Sequence, residues 1–153
     1  MQDLFDTQPP VTGDELDCQV VIPTHDPARP IRRAVNSVLS DPRAGAIVVA
    51  HNVDQSVLDI PDDPRVVVVP LTGAEGRPGA AFEAGLRVAT APWVGIMGSD
   101  DWYELGALQA LVRHGEEDGA DGVLAPLAYQ GGTRGLIPRT VRNRNLKAAE
   151  DRL

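Results

Sequence analysis

The sequence predicts an α/β fold, with a mostly parallel sheet and helices on both of its faces. Three observations predict it. Short runs rich in β-branched residues recur along the chain: QVVIP at 19–23, AIVVA at 46–50 and VVVV at 66–69. They have strand length and no polar alternation, as strands buried on both faces do. Stretches with apolar residues at helical spacing lie between them. Each run also ends in a polar, Pro- or Gly-bearing turn. Strands separated by helical crossovers pair in parallel and put their helices on the sheet faces.

The elements follow in order. After the strand at 19–23, Thr24-His25-Asp26-Pro27 breaks the run, and Pro30 suits the first turn of a helix. Ile31, Val35, Val38 and Leu39 form one stripe of that helix, and Ser40-Asp41-Pro42 stops it. The strand at 46–50 leads into a loop, His51 to Pro64, with room for one short helix. The strand at 66–69 runs into a glycine-rich turn, Thr72 to Gly79. Pro78 starts a second helix with Phe82, Leu86 and Ala89 on one face, and Ala91-Pro92 ends it. Trp93 to Met97 is a fourth strand, and Gly98-Ser99-Asp100-Asp101 a polar turn. Leu105, Leu108, Leu111 and Val112 mark a third helix ending near Gly115, and Gly122 to Leu127 reads as a fifth strand. Gly131-Gly132 marks a turn, beyond which the pattern weakens. The chain thus divides into a flexible lead-in (1–16), a domain (17–130) and a basic C-terminal segment (131–153).

Composition excludes several classes. The net charge of −8 argues against a nucleic-acid-binding protein. No apolar run reaches membrane-spanning length. The N-terminus is acidic and polar, unlike a secretory signal. The single cysteine, Cys18, permits no internal disulfide and reads as a buried small hydrophobe. A cytoplasmic address fits. One lysine against thirteen arginines points to a GC-rich bacterial genome. The basic residues between Arg134 and Arg152 suit peripheral contact with anionic lipid or phosphate, and equally a solvated helix or frayed end.

In open parallel sheets ligands bind beyond the carboxyl ends of the strands, so the turns there are the candidate site. The adjacent acids of Gly98-Ser99-Asp100-Asp101 repel one another. A hard divalent cation, Mn²⁺ or Mg²⁺, would relieve that repulsion and bridge to a diphosphate. Capping of the next helix explains the same acids equally well. Thr24-His25-Asp26 can offer backbone groups to a base or ribose, or be a plain turn. Gly73, Gly76 and Gly79 make neither a Walker loop nor a dinucleotide fingerprint. His25, His51 and His114 lack zinc-ligand spacing. No serine or cysteine sits in a nucleophile elbow.

Taken together, the segments VVIPTHDPARPIRRAVNSVL, AIVVAHN and AAFEAGLRVATAPWVGIMGSDDWYELGALQAL resemble the family-two glycosyltransferases, over about Cys18 to Leu127. The resemblance implies the GT-A fold, which is Rossmann-like, and transfer of a sugar with inversion from a nucleoside-diphosphate sugar to an acceptor, with a divalent metal. By position, Pro23 and Thr24, with His25 beside them, would line the nucleotide pocket. Asp100 matches the last acid of the D-x-D motif and would bind the metal, with Ser99 and Asp101 beside it. The pattern is not complete. The acid expected after the second strand is replaced by His51-Asn52-Val53-Asp54, where Asn52 or Asp54 would meet the base. The first acid of D-x-D is Gly98. The Arg-Asn of A-R-N-x-G-L is Phe82-Glu83, which leaves Arg77 to supply the positive charge. The family's general base lies in the acceptor half, further downstream than these residues extend, so the acceptor lobe reads as incomplete and no catalytic residue is assigned. Three outcomes follow from the sequence: an enzyme completed by more chain or a partner, a nucleotide-sugar-binding module without turnover, or a truncated remnant whose exposed sheet edge drives self-association.

Overall fold

The computed structural model describes residues 15–73, 75, 77–126 and the strand at 139–141. The chain forms two compact units, Met1–Leu105 and Gly106–Leu153. In the first, the elements run β1 (Cys18–Thr24), α1 (Ile31–Leu39), β2 (Ala44–His51), β3 (Val66–Leu71), α2 (Pro78–Leu86) and β4 (Trp93–Ile96). A single 3-10 turn, Gln55–Val57, is the short helix expected in the loop after β2. The four strands form one sheet in the order β3-β2-β1-β4, every pairing parallel.

The absence of polar alternation in β1 and β2 has its cause here. Val20, Val21, Ile22, Ile47, Val48 and Val49 are all fully buried, because both faces of these central strands are covered. Helix α1 lies against β1 and β2 and buries Ile31, Ala34, Val35 and Val38, the expected stripe except that Leu39 is only half-buried. Helix α2 lies against β1, β2 and β3. Its buried contact is Ala81, packed with Val21, Ile47 and Val49, with Phe82, Ala84 and Ala89 at the margin.

Leu86 does not share that face: it is 48% exposed. The reason is Gly85, whose bare Cα sits on the fully buried Val21 and turns the small residues of α2 toward the sheet. The helix also stops before Ala89. Buried Gln19 accepts hydrogen bonds at Oε1 from the N–H groups of Thr90 (2.7 Å) and Ala91 (3.0 Å), tying the α2–β4 connection to β1. On the other side Arg65 donates to the carbonyls of Leu39 (3.2 Å), Asp41 (3.0 Å) and Ala44 (3.3 Å), while Asp63 holds its other nitrogens. One guanidinium thereby satisfies the last carbonyl of α1, at Leu39, and ties it to the connection into β2.

In the second unit α3 (Ala107–Glu117) lies against β5 (Gly122–Leu124), which pairs antiparallel with β6 (Arg139–Val141). Two expectations are corrected. The strand predicted at 122–127 is shorter and forms a two-stranded antiparallel ladder, not a fifth parallel strand; Pro126 has no N–H to extend it. Leu105 is not in α3: it is 85% exposed, and Gly106, at φ 79°, separates it from the helix. Strand β6 was not anticipated.

Leu16, placed in the lead-in, is buried, so the core reaches one residue further back than residue 17. The rest of the lead-in through residue 14, the Gly131-Gly132 turn, and the basic segment apart from 139–141 lie outside the described residues. Among the described residues no helix is long and apolar enough to cross a membrane.

Candidate functional site at the carboxyl edge of the sheet

All four parallel strands of the first unit end on one edge, and their chain order reverses between β1 and β4. A crevice outside the strand ends forms at such a reversal. Thr24 closes β1 on one side of it, and Met97-Gly98 leave β4 on the other, with the Met97 N–H donating to Val21 O at 3.0 Å.

The turn after β4 carries the strongest feature. It closes on itself through Asp101 N–H to Gly98 O (3.2 Å). Both acids fold back over the glycine: a Cβ on Gly98 would stand 2.9 Å from Asp101 Oδ2 and 3.1 Å from Asp100 Oδ1. The small residue in place of an acid therefore leaves a notch walled by two carboxylate oxygens. Ser99 is buried, whereas Asp100 and Asp101 are exposed. Neither acid caps α3, which starts at Ala107 with no side-chain cap bond.

Helix α1 holds this turn. Arg33 donates to Asp100 O (2.8 Å) and lies over the Trp102 ring, 4.1 Å from its centroid. Tyr103 N–H donates to Ser37 Oγ (3.0 Å). Arg29 forms an ion pair with Asp100 Oδ2 at 2.5 Å. The Tyr103 hydroxyl is packed inside, and burial pushes its pKa up to about 12. Sequence reading missed Arg29, Arg33, Ser37, Trp102 and Tyr103. None left a clear signal: Arg29 lies in the turn before α1, outside the helix, so its spacing from Arg33 is not a helical one. A cavity of about 470 Å³ opens beside them, lined by Arg29, Arg32, Arg33, Asn36 and Asp59 among others.

The remaining candidates are more scattered. Pro23 is half-buried and Thr24 fully buried, with the Thr24 hydroxyl donating to Asp26 O at 3.5 Å. His25 is exposed. Asn52 is bound into the structure. It sits at φ 53°, a left-handed conformation that asparagine tolerates, and exchanges hydrogen bonds with Gly73: Gly73 N–H to Asn52 Oδ1 (2.9 Å) and Asn52 Nδ2 to Gly73 O (3.2 Å). His51 Nε2 also meets Gly73 O, at 3.0 Å. Asp54 caps the 3-10 turn through Ser56 N–H (2.8 Å), and hydrogen bonds from Ser56 hold its carboxyl below the usual range. Arg77 is exposed just before α2. Phe82 packs against the core, so the position of the family's arginine is spent on packing. Among the described residues no three His, Cys, Asp or Glu side chains gather to hold a metal. Mg²⁺ sites commonly take only one or two carboxylates and complete themselves with phosphate and water, which the Asp100–Asp101 notch fits.

The comparisons agree with this architecture. A crystal structure of residues 1–349 of TarS from S. aureus superposes with a TM-score of 0.61 at 23% identity, over 80% of this chain and 38% of that one. A second S. aureus TarS structure gives 0.60 at 20% identity, over 80% of this chain and 23% of that one. The chain therefore spans less than half the length of either. At these identities the likeness concerns the fold, which is GT-A-like. No curated protein matches the chain. The model of glycosyl transferase family 2 matches residues 19–152, nearly the whole sequence, and on that match the chain belongs to this family.

Proposed function

We propose that this chain is the donor-binding part of a metal-dependent, inverting glycosyltransferase that uses a nucleoside-diphosphate sugar. The observation that carries the reading is the notch over Gly98, where the Asp100 and Asp101 oxygens converge at the reversal of strand order. Asp100 would hold Mn²⁺ or Mg²⁺ with Asp101 beside it. A cation bound there supplies charge neutralisation to the diphosphate leaving group. The chain's own residues position the donor. Pro23 and Thr24, at the carboxyl end of β1, would line the nucleoside side of the site, with His25 next to them. Asn52 and Asp54 shape the turn after β2, where the base would rest, and Arg77 stands at the start of α2 as a phosphate partner. Ser99, buried between Gly98 and Asp100 in the chain, would sit beside the cation. Arg33 and Ser37 fix the turn so that both carboxylates keep their aim. Inverting transfer also needs a base for the acceptor hydroxyl, and none of the described residues is assigned that role. A cytoplasmic setting agrees with the single cysteine.

The test is a thermal melt against nucleoside diphosphates, with Mn²⁺ and then with EDTA, followed by a transfer assay. A ligand at about a hundred times its dissociation constant adds about 2.7 kcal/mol, or about 5–10 °C at roughly 2–4 °C per kcal/mol. One base should give a metal-dependent shift that Asp100→Asn abolishes. A shift without transfer across an acceptor panel would convert the reading to a binding module. A shift that survives Asp100→Asn would reject the residue assignment.

A further inference from the structure

Asp100 serves two directions at once. Its Oδ1 faces the notch over Gly98, and its Oδ2 is paired with Arg29 at 2.5 Å. We infer that Arg29 is a built-in competitor for the cation site, occupying Asp100 until a divalent ion displaces it. The inference rests on the proposed metal role of Asp100.

Arg29 reaches this position because its backbone is locked. Pro27 and Pro30 flank it by two residues and one, and Asp26 closes the turn twice. Asp26 Oδ1 accepts from Ala28 N–H (2.9 Å), and Asp26 O accepts from Arg29 N–H (3.1 Å). Arg29 O accepts in turn from Ile31 N–H (2.7 Å), at the first residue of α1. The guanidinium is thereby delivered to the β4 turn. Arg33 is not an alternative partner for the carboxylate, because it is spent on the Asp100 carbonyl and the Trp102 ring. The turn itself does not depend on Arg29: the bonds from Arg33 to Asp100 O and from Tyr103 N–H to Ser37 Oγ hold its backbone without it. The ion pair is open to solvent, with side-chain exposures of 37% for Arg29 and 54% for Asp100, so it is weak enough to exchange. A cation at Oδ1 and a guanidinium at Oδ2 of one carboxylate oppose each other by charge repulsion.

The experiment measures Mn²⁺ binding to the full chain without nucleotide, from the electron paramagnetic resonance signal of free Mn²⁺. The wild type is compared with Arg29→Gln, Arg29→Lys and Asp100→Asn. Arg29→Gln should bind Mn²⁺ about two- to five-fold more tightly, the worth of an exposed ion pair. Arg29→Lys should stay within about two-fold of the wild type, which separates charge competition from a folding defect. Asp100→Asn should weaken binding in both the wild-type and Arg29→Gln backgrounds. If Asp100→Asn weakens binding and Arg29→Gln leaves it unchanged or lowers it, the competitor role is overturned and the metal site stands. If neither the wild type nor Arg29→Gln binds Mn²⁺, the metal reading fails and the inference falls with it.

Discussion

Replacing Gly85 by alanine sets two physical effects against each other, and the structure decides between them. In an exposed helix interior the change is favourable by about 1 kcal/mol, because alanine loses less backbone freedom than glycine. Gly85, however, faces Val21, which is fully buried at the centre of the sheet. A Cβ at position 85 would overlap Val21 Cγ1 and would stand 3.0 Å from Cγ2 and 3.2 Å from Cβ. Both methyls are in the way, so rotating the stiff β-branched side chain exchanges one clash for another. Carbon atoms settle at about 3.5–4.0 Å, so α2 would have to retreat by about 1 Å from a strand that Ile47 and Ala81 also pack against. Overpacking of this kind costs about 1–3 kcal/mol, and rigid neighbours put this site near the upper end. Less the propensity gain, Gly85→Ala should destabilise the protein by about 2 kcal/mol. The transition midpoint should fall by roughly 4–8 °C, read by denaturant and thermal unfolding. The decisive control is Val21→Ala, which removes both methyls. In that background Gly85→Ala should be neutral or stabilising, giving a coupling of about 2–3 kcal/mol. A rise in stability from Gly85→Ala in the wild-type background would refute the packing argument.

Two further outcomes follow from the Arg65 clamp. Arg65→Ala removes the guanidinium bonds to the carbonyls of Leu39, Asp41 and Ala44 and the ion pair with Asp63, and should cost about 2–4 kcal/mol by urea denaturation; a change below about 0.5 kcal/mol would mean that water replaces the clamp without loss. Asp63 gives the same structure a pH signature: hydrogen bonding to Arg65 holds its carboxyl below the ordinary value of 3.8, against the opposing effect of burial. Because the folded-state value is the lower one, this stabilisation is complete above about pH 4 and disappears as pH falls through the folded value. Asp63→Asn should therefore lower stability at neutral pH and flatten the acid limb below pH 4, and an unchanged acid limb would contradict the assignment.

The central strands were legible because they are buried on both faces: QVVIP and AIVVA stand out as apolar runs for the same reason that Val21 and Val48 are fully enclosed. VVVV is equally apolar in sequence but forms the edge strand β3, where Val67 is exposed. Helix α1 was legible because its stripe is long and bounded by prolines. Helix α2 was half legible. Its start at Pro78 is a local signal, but its buried face depends on the distance between Gly85 and Val21, which no spacing of apolar residues encodes. The second unit was least legible: β6 has three residues, Arg139, Thr140 and Val141, and takes its form from pairing with Gly122–Leu124. Short ladders are tertiary events, and a three-residue sequence window cannot announce them.

The site divides along the same line. The acids of the β4 turn could be picked out because adjacent carboxylates after a buried strand are locally costly. Their common aim over Gly98 could not, since it arises from a turn held by residues on another element. The same holds for the turn after β2. Asn52 looks in sequence like a substitute for a base-contacting acid. In the fold, a left-handed backbone and two hydrogen bonds to Gly73 already occupy it, so its first effect is to set the path of the chain between β3 and α2. An aspartate there would keep the bond from Gly73 N–H but would set a carboxylate oxygen against Gly73 O in place of a donor. The departure from the family's pattern at this position is thus matched to the neighbouring turn, and base preference must be sought in the two turns together.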